Sequence, residues 1–498
     1  MDRYFTTIGL EVHVELKTRT KMFCACLNDA KEIQPNKNVC PICLAHPGTL
    51  PVINLEAVKK VIRVGLSLSG KIPERSLFDR KNYFYPDLPK GYQISQYEHP
   101  LVSGGFLEIN NEAGEKNKIA ITRVHLEEDT GKLSHQGKNS LIDFNRAGVP
   151  LMELVTEPVI HSGPEARKFA EELRLLLRYL DVSSAEMENG QLRIEPNISV
   201  SKTEKLGTKV EIKNLNSFRS VEDSINFEVQ RQIKILEAGD KIFQTNRGWN
   251  QEKNETFEQR SKEEAHDYRY FPEPDLPPLV IGSTAPKAMS GRSVFIDLQE
   301  IKNKLPELPW QRRERLAKLY GLEISQIEFL VQEKNAGDFF EEAASEFRSI
   351  DAKHKKESDV EKSKIIFNLI SSDMRGLMAG DGISYEDLKT NPADISRLAE
   401  FFHLGKISSR AMKDILVEMF KTGQNPEEII AAKNLLQVSD ISELEAIALE
   451  VIKVNPGPVK DFQSGKEQAL QFLVGKVMAK TKGKANPSVL QDLIRKSI

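Results

Sequence analysis

In residues 8–16 every second side chain is aliphatic. This period of two predicts a half-buried β-strand, because successive side chains of a strand point to opposite faces of the sheet. The aliphatic face must enter a core, whereas the opposite face places Glu11, His13 and Glu15 in one row. Two interpretations of that row remain open. It is either an ordinary solvated sheet face or a cation site, since hard divalent ions bind carboxylate oxygens and accept a neutral imidazole.

Chain length and composition set limits on the fold. A chain of 498 residues is too long for one hydrophobic core and predicts two to four domains. Charged residues make up 29% and hydrophobic residues 39%, as in globular proteins dissolved in water. No run of about 18 apolar residues occurs, so a membrane span is not expected. The N-terminal residues lack an apolar signal core, which favours a cytoplasmic protein or an organellar one without its transit peptide.

The cysteines of the chain fall in one short region, Cys24 with Cys26 and Cys40 with Cys43. Two close pairs in a chain without other cysteines predict a tetrahedral four-thiolate zinc site. Two disulfides are an alternative, which a cytosolic setting disfavours, and unpaired core thiols are another. A zinc ion with four thiolate ligands has no open coordination position, so its role would be structural.

Two stretches, residues 78–93 and 267–278, are crowded with aromatic, proline and charged residues and follow no regular period. The first of them contains Arg80, Lys81 and Lys90. Stiff aromatic loops that present basic side chains suit phosphate or nucleotide recognition. Surface loops packed by their own rings are the alternative interpretation.

Residues 1–296 are predicted to form an α+β domain with a mostly antiparallel sheet flanked by helices. Strand patterns recur at residues 119–126, 141–144, 151–155, 192–200 and 209–212, many of them joined by short polar turns. Helices are predicted at residues 55–68, from Ser162 to about residue 180, and at residues 218–237, with Asn54, Ser162 and Ser217 as capping residues. The polar segment 248–265 is expected to be a loop.

Helical patterns replace strands in the second part of the chain, which predicts an all-α helical domain over residues 297–405 and an all-α tail domain over residues 406–498. The predicted helices are residues 311–320, 324–333, 337–345, 409–421, 426–434, 441–454, 458–464 and 468–480. Residues 353–364 are rich in charge and are expected to be exposed.

Nucleic-acid binding by this chain must rely on local basic patches, because its formal net charge is −3. Residues 456–498 form such a patch, with eight basic residues against three acidic ones and a net charge of +5. Lys482 and Lys484 belong to it. A basic helical tail on an acidic protein is a candidate binder of a phosphate backbone, whereas ordinary solvated helix faces are the alternative.

Further carboxylates fall on other predicted strands. Glu128 continues the apolar face of residues 124 and 126, and Glu153 lies within an apolar strand. A buried carboxylate needs a cation, a hydrogen-bond donor or a raised pKa. Arg193 and Glu195 share one strand face, and a structural salt-bridge network is one explanation for all four residues.

A magnesium site is the other explanation, and it agrees better with the presence of Arg80, Lys81 and Lys90. Carboxylates that converge with His13 on Mg²⁺, together with basic side chains, position a nucleoside triphosphate and stabilise the transferred phosphoryl group. The sequence has no Walker-A loop, kinase-type glycine loop or dinucleotide fingerprint. An ATP site in this chain would therefore be of an unusual type.

Several of these motifs together are similar to one known protein family. They cover residues 8–16, 78–96, 125–132, 143–158, 192–200, 209–218, 267–278 and 468–488. Over nearly its whole length the chain resembles the GatB subunit of the glutamyl/aspartyl-tRNA amidotransferases. It departs from the family pattern at Thr245, where a glutamate usually follows Gln244, and at Glu195, where an aspartate is commoner.

The resemblance implies an enzyme that uses ATP and Mg²⁺ within a cytoplasmic heterotrimer, the GatCAB complex. Its partners would be GatA, an amidase-type glutaminase, and the small protein GatC. Members of the GatB family phosphorylate the side-chain carboxylate of Glu on misacylated tRNA(Gln), or of Asp on misacylated tRNA(Asn). Ammonia from the glutaminase then arrives through a tunnel and displaces phosphate. The resemblance further implies a cradle-like N-terminal domain, and helical domains that grip the tRNA by its shape.

The resemblance also implies roles for individual residues. Three of them would bind magnesium, namely His13, Glu128 and Glu153. The residues expected to act beside them on nucleotide, phosphate or substrate are Glu11, Glu127, Arg80, Lys81, Lys90, Arg193 and Glu195. For Lys81 and Lys90 two roles remain open, contact with phosphate or a place along the ammonia path.

Two rival functions are also considered. A non-catalytic, zinc-containing tRNA-binding protein disagrees with the inward carboxylates, because acid clusters repel RNA phosphate. A stand-alone metallohydrolase would be active without partners. The chain offers no Ser–Lys amidase signature, which favours a separate glutaminase protein.

Overall fold

The protein, described here from a computed structural model, folds into two compact units, Met1–Pro309 and Trp310–Ile498. The structure describes residues 4–110, 114–261, 267–285, 293–350, 356–436, 441–481, 485 and 487–498. Within these residues every strand belongs to the first unit and the second unit is helical, which confirms the predicted α+β class. The predicted domain limits at residues 296 and 405 stay predictions. None of the described helices has both the length and the apolar character that crossing a membrane requires.

The first unit contains several β-sheets. Its strands, in chain order, are β1 (Phe5–Glu15), β2 (Arg75–Ser76), β3 (Asp79–Asn82), β4 (Tyr92–Ser95), β5 (Val102–Ser103), β6 (Phe106–Asn110), β7 (Lys116–Glu128), β8 (Lys132–Gln136), β9 (Asn139–Asp143), β10 (Pro150–Thr156), β11 (Leu192–Ser201), β12 (Val210–Lys213), β13 (Thr245–Asn250), β14 (Glu255–Ser261), β15 (Phe271–Pro272), β16 (Leu279–Gly282) and β17 (Val294–Asp297).

The predicted first strand, β1, lies in the middle of a nine-stranded sheet. The strand order is β14-β13-β12-β11-β1-β10-β7-β5, and β6 pairs with a further part of β7. Neighbouring strands are antiparallel except β12 and β13, which are parallel. β1 pairs with β11 on one side and β10 on the other, so both neighbours fix the register of its polar face.

Smaller sheets complete the first unit. β3 lies between β4 and β15, which joins the two aromatic stretches of the sequence in one three-stranded sheet. A second sheet has the order β17-β16-β2, and β8 and β9 form a hairpin. The pairing of β3 with β15 brings together segments almost 200 residues apart, and it closes one side of the functional site described below.

The sequence predicted the long strands correctly but missed one hairpin. The five predicted strands correspond to β7, β9, β10, β11 and β12. The expected loop at residues 248–265 is wrong, because β13 and β14 pair as antiparallel strands there; residues 262–265 lie outside the described part of the chain. The hairpin is held by polar contacts rather than by an apolar stripe. Arg247 donates to Thr256, which donates to the buried carboxylate of Glu228.

Four helices of the first unit are described, namely α1 (Leu55–Ser67), α2 (Gly163–Tyr179), α3 (Phe218–Glu237) and α4 (Leu298–Asn303). α1, α2 and α3 confirm the predicted helices and their caps. The side-chain oxygens of Asn54, Ser162 and Ser217 each accept a hydrogen bond from a backbone N–H of the first turn. These bonds satisfy N–H groups that have no partner within the helix.

The aliphatic face of β1 enters the core of this unit, as its alternation predicts. Ile8, Leu10, Val12 and Val14 are each at most 1% exposed. α2 packs against α3, and α3 packs on β11, so the helices cover the apolar side of the sheet. Phe169 of α2 is fully buried there. Because this side is closed by helices, the polar side of the sheet is the one available for a site.

The second unit is a set of helices. They are α5 (Pro309–Tyr320), α6 (Ile324–Gln332), α7 (Lys334–Ile350), α8 (Lys356–Asn368), α9 (Arg375–Asp381), α10 (Pro392–His403), α11 (Ser409–Thr422), α12 (Pro426–Lys433), α13 (Ile441–Val454), α14 (Pro456–Gln463), α15 (Glu467–Lys480) and α16 (Pro487–Ser497), with a π-helical turn at Leu369–Met374 and a 3₁₀ turn at Tyr385–Asp387. All eight helices predicted in this region are confirmed. Part of the charge-rich segment lies in α8, where Lys362 and Ser363 are buried, so the expected exposure is wrong there; residues 353–355 lie outside the described residues.

The last four helices pack around a core of their own. Leu444, Leu473, Val477 and Ile494 are at most 1% exposed within it. Several of the basic residues counted in the sequence are paired with acidic ones on these helices, Lys466 with Asp461, Lys480 with Glu450 and Arg495 with Glu467. Lys482 and Lys484 lie outside the described residues. The positive charge available to a partner is therefore smaller than the sequence count indicates.

We expect Phe169→Ala to lower the free energy of unfolding by about 3–5 kcal/mol, because it leaves a cavity between α2 and the sheet. Phe84→Ala is the matched control, since Phe84 is 91% exposed and its loss should change stability by less than about 0.5 kcal/mol. Chemical denaturation of the full chain measures both. Equal effects of the two substitutions would contradict the described packing of α2.

Candidate functional site

The polar side of the nine-stranded sheet forms the floor of an open pocket of about 1300 Å³. β1, β7, β10 and β11 contribute the floor, and residues from β3, β12 and the segment before β15 contribute the walls. The pocket is lined mainly by charged and aromatic side chains. It lies opposite the helix-covered core, because strand alternation sends aliphatic side chains to one face and polar ones to the other.

A row of side chains crosses three neighbouring strands in the middle of this floor. The register pairs His13 of β1 with Glu153 of β10, and Glu153 with His125 of β7. The Oε2 atom of Glu153 lies 3.5 Å from Nε2 of His13 and 3.5 Å from Nε2 of His125. One carboxylate oxygen therefore faces two imidazole rings, one on each side.

Two more carboxylates flank this row. Nε2 of His13 lies 3.7 Å from Oε1 of Glu11 and 3.6 Å from Oε1 of Glu127. In two triads, Glu11 with His13 and Glu153, and His125 with Glu127 and Glu153, all ligand atoms lie within 4.8 Å of one another. Two ligands of one Mg²⁺ ion stand at most about 4.2 Å apart, since each bond is about 2.1 Å long. The residues present thus fit a hard divalent cation with only small adjustments.

The charges of the cluster support the same interpretation. Burial opposes protonation of His13, but its hydrogen bond with Glu153 and the charge of Glu127 outweigh this and raise its pKa to about 9. Burial lowers the pKa of His125 to about 4, so this ring is neutral at pH 7. Burial, with the negative charge of Glu153 second, raises the pKa of Glu127 to about 7. Without a cation the site thus holds more negative charge than it neutralises.

Lys81 and a group of tyrosines form one wall of the pocket. Lys81 of β3 lies with Nζ 4.9 Å from the ring centre of Tyr268. Burial works against the charge of Lys81, but Glu127 and Glu153 raise its pKa, so it remains an ammonium. Tyr97 and Tyr270 stack at a centroid distance of 4.3 Å. The wall therefore offers a fixed positive charge beside flat aromatic surfaces.

The opposite wall contains Arg193 and Glu195, as the sequence predicts for one pocket. Both terminal nitrogens of Arg193 lie 2.9 Å from Oδ2 of Asp129. Glu195 accepts a hydrogen bond from Lys213 at 2.7 Å. Each of these charges already has a partner, so both residues are held in place rather than free to move. Thr245, where the chain departs from the family pattern, does not line the pocket, although Gln244 and Asn246 do.

The structure does not bring Glu128 to His13, so its expected position at the cation is wrong. On β7 the side chains of His125 and Glu127 share the pocket face, and Glu128 points to the other side. There Glu128 pairs with Lys90 at 2.6 Å and accepts the N–H of Ile94 at 2.9 Å. Glu127, the preceding residue in sequence, takes the predicted place. Lys90 likewise lies outside the large pocket, in a smaller one that Glu128 also lines.

Arg80 is not in the pocket either, which corrects its expected contact with the nucleotide. It precedes Lys81 on β3 and therefore points to the opposite face of that strand. Its Nε and Nη2 atoms donate to the carboxylate of Glu273 at 2.7 and 2.9 Å. Its guanidinium also lies 4.3 Å from the ring centre of Tyr92. These contacts give Arg80 a structural position in the sheet of β3, β4 and β15.

The four cysteines converge, and their sulfur atoms all lie within 4.8 Å of one another. All four are free thiols, so the disulfide alternative is wrong. The sulfurs of Cys40 and Cys43 are 3.9 Å apart, close to the edge of about 3.8 Å expected for a tetrahedron with Zn–S bonds of about 2.3 Å. A hydrogen bond from Cys24 lowers the pKa of Cys43 to about 4. This cluster could therefore bind a metal ion.

Sequence reasoning missed several residues of the pocket. His125 shares a strand face with Glu127, and this alternation was the available signal for it. Asp129 and Lys213 hold Arg193 and Glu195, but nothing local in the sequence indicates those pairings. Tyr268 reaches Lys81 only through the pairing of β3 with β15. Contacts between segments this distant in sequence have no local pattern that predicts them.

Comparison with known families decides the classification. A profile for the "GatB/GatE catalytic domain" matches residues 6–286, which include the whole pocket described above, and a profile for the "GatB domain" matches residues 351–498. The chain belongs to the GatB family. The family predicted from the sequence motifs is thereby confirmed.

Close relatives of this GatB-family chain agree over its full length. A protein of Caldanaerobacter subterraneus subsp. tengcongensis is 44% identical over 499 residues, covering 100% of this chain and 99% of the relative. Proteins of Carboxydothermus hydrogenoformans and Thermotoga maritima are each 43% identical over 502 residues, with 99% of both chains covered. All three are named as the B-type subunit of an aspartyl/glutamyl-tRNA(Asn/Gln) amidotransferase.

The opposite directions of two adjacent glutamates on β7 give a direct test of the site. We expect Glu127→Gln to weaken divalent-cation binding at least about tenfold, because it removes a ligand oxygen from the pocket floor. Glu128→Gln, one residue further, should leave the affinity within about twofold. Calorimetric titration of the full chain with Mn²⁺ measures both. The reverse order of effects would contradict the described orientation of β7.

Proposed function

We propose that this chain is the component of a tRNA-dependent amidotransferase that activates a side-chain carboxylate on misacylated tRNA and converts it to an amide. The observation that carries the proposal is the convergence of Glu11, His13, Glu127 and Glu153 beside Lys81 in one wide pocket. The names of its relatives supply the substrate class, Glu on tRNA(Gln) or Asp on tRNA(Asn). The reaction would take place where aminoacyl-tRNA is used, in the cytoplasm.

In this proposal Mg²⁺ binds to the carboxylate and imidazole groups of the pocket floor, with His13, Glu11 and Glu153 as ligands and Glu127 close by. The ion supplies positive charge that neutralises the phosphates of ATP. His13 then has to be unprotonated, because only a neutral imidazole offers a lone pair to a metal. The neighbouring carboxylates keep the ring in place in either state.

Lys81 would contact the transferred phosphoryl group. It is the ammonium of the pocket wall beside the floor carboxylates, and such a charge stabilises negative charge that moves during phosphoryl transfer. The pocket, at about 1300 Å³, exceeds the range of about 300–1,000 Å³ usual for a small ligand. Its size supports simultaneous binding of a nucleotide and an aminoacyl end.

The chemistry explains why a phosphate donor is needed. A carboxylate reacts poorly with ammonia, because an oxide ion is a bad leaving group. A carboxylate oxygen attacks the terminal phosphorus of ATP, the bond from that phosphorus to its bridging oxygen breaks, and ADP leaves. Ammonia then attacks the carbonyl carbon of the acyl phosphate and inorganic phosphate departs. Arg193 and Glu195, held by Asp129 and Lys213, would orient the substrate in the pocket.

Ammonia would come from a separate amidase-type glutaminase, GatA, assembled with the small protein GatC. Lys90 and Glu128 form a buried ion pair outside the large pocket. This position supports a place along the ammonia path for Lys90 and disfavours contact with phosphate. The helical second unit, including the basic tail, would hold the tRNA outside its acceptor end through backbone phosphates.

We assign the four-cysteine cluster to structural zinc. The cluster holds a region of the chain with few regular elements, between β1 and α1. Lys21 is fully buried and its Nζ lies 3.8 Å from the Cys43 sulfur. An ammonium at this distance offsets part of the excess negative charge of four thiolates on one Zn²⁺ ion.

The proposal predicts ADP formation that depends on misacylated tRNA. In the complex with the glutaminase and the small third protein, we expect Glu153→Gln and Lys81→Met each to lower the rate of ADP formation at least about a hundredfold, because each removes charge stabilisation at the phosphoryl group. Glu157→Gln, at the end of the same segment but outside the pocket, is the control. Labelled ATP with Glu-tRNA(Gln) and Asp-tRNA(Asn) provides the assay.

Two results would contradict the proposed function. One is ADP formation that Glu153→Gln leaves at the wild-type rate, which would remove the pocket floor from the reaction. The other is hydrolysis of glutamine by the purified chain alone, which would support a stand-alone hydrolase. Binding of tRNA without any ADP formation would support the rival zinc-containing binding protein.

Zinc content gives an independent test. We expect one equivalent of zinc per chain by elemental analysis, and its loss with lower thermal stability in Cys40→Ser, because the remaining three thiolates hold the ion less tightly. His46→Gln is the matched control, since His46 lies in the same loop and is not one of the four converging ligands. A wild-type chain without zinc would reduce the cluster to bare thiols.

A further inference from the structure

We infer that the pocket floor binds two divalent cations, which share the carboxylate of Glu153. An outer ion would be held by Glu11, His13 and Glu153, and an inner ion by His125, Glu127 and Glu153. The inference deepens the proposed function, on which it rests for its purpose but not for its geometry. The geometry comes from the two triads of ligand atoms that the register of three strands creates.

The two triads are related by an approximate symmetry about Glu153. β1 and β7 both pair antiparallel with β10, so they run in the same direction on either side of it. β1 presents Glu11 two residues before His13, and β7 presents Glu127 two residues after His125. Each histidine faces Glu153 across one strand spacing, and the two glutamates lie at opposite ends of the row. The sheet thereby builds one His–Glu pair on each side of a central carboxylate.

The oxygen atoms of Glu153 have different surroundings, which favours a bridging role. Oε2 lies 3.5 Å from the Nε2 atoms of both histidines, whereas Oε1 lies 3.5 Å from Nη2 of Arg123. A separation of 3.5 Å is too long for a strong N–H···O bond. It is the spacing expected of two ligand atoms on one ion with bonds of about 2.1 Å.

His125 provides the second, independent observation. Its side chain is only 4% exposed, and its Nδ1 atom has no hydrogen-bond partner among the described residues. A buried polar ring without satisfied hydrogen bonds is costly. Ligation of a cation through Nε2 would explain why an imidazole rather than an aliphatic side chain occupies this position beside Glu127 and Glu153. The inner triad consists entirely of buried residues, so its ion would be the less exchangeable of the two.

Two ions suit the transfer that we propose. In enzymes with two metal ions about 3.5–4 Å apart, the pair stabilises both the attacking and the leaving oxygen of an in-line displacement. Here the attacking oxygen belongs to the substrate carboxylate and the leaving oxygen to the nucleotide. The three glutamates of the floor and Lys81 leave an excess of negative charge, which a second cation would neutralise.

The number of ions bound by the full chain tests this inference. Mn²⁺ replaces Mg²⁺ at oxygen-rich sites and is visible by electron paramagnetic resonance. We expect two equivalents of Mn²⁺ per chain at saturation, with a low-temperature spectrum that shows the magnetic coupling of two neighbouring ions. His125→Gln should bind one equivalent and give the spectrum of an isolated ion.

His135→Gln is the matched control, because His135 is exposed on β8 and bonds Ser140 away from the pocket. It should retain both coupled ions. If His125→Gln does not fold, Glu127→Gln makes the same test on the inner triad, and the count on the unmodified chain needs no variant. A single equivalent in the unmodified chain, or a coupled pair that survives in His125→Gln, would overturn the inference.

The outcome is distinguishable from a failure of the proposed function. One bound Mn²⁺ together with tRNA-dependent ADP formation would leave the proposed function in place and remove the second ion. Two coupled ions in a chain that forms no ADP in its complex would support the paired site and contradict the proposed reaction.

Discussion

Burying several carboxylates on one sheet face is costly unless positive charge reaches them, and the register of three strands decides whether it does. β1, β10 and β7 align His13, Glu153 and His125 in a single row. Lys81 and Arg123 approach from the sides, but they do not balance all the acidic groups. The rest of the first unit supports this row. Helices cover the aliphatic side of the sheet, so that the polar side can remain open around a charged floor.

The architecture separates tasks between the two sides of β7. Glu127 faces the pocket, and Glu128 faces a smaller pocket near the cysteine cluster, where it pairs with Lys90. Two adjacent residues of the same type therefore belong to different chemical environments. The free-thiol cluster stands next to that second environment, since Cys24 and Cys43 line it with Lys90. A metal in the cluster would thus stabilise a region that borders the pocket without taking part in its chemistry.

Local patterns in the sequence predicted much of the fold and part of the site. The alternation in residues 8–16 predicted both the buried face of β1 and the convergence of Glu11 and His13, and the spacing of the cysteines predicted their cluster. Alternation alone also placed Glu128 on an inward face, but the motif match assigned it to the cation. Which face of β7 opens on the pocket depends on its pairing with β10, and that pairing is not local. The hairpin of β13 and β14 was missed because polar contacts to Glu228, rather than an apolar stripe, hold it.

The central claim is that an imidazole and carboxylates from separate strands bind one cation at the pocket floor. Pulsed electron paramagnetic resonance of Mn²⁺ bound to the full chain, with ¹⁵N-labelled histidine, tests it most directly. The account predicts a nuclear coupling from a directly coordinated imidazole nitrogen that becomes weaker in His13→Gln. Bound Mn²⁺ without any histidine coupling would contradict the account, because the ion would then lie outside the row of His13, Glu153 and His125.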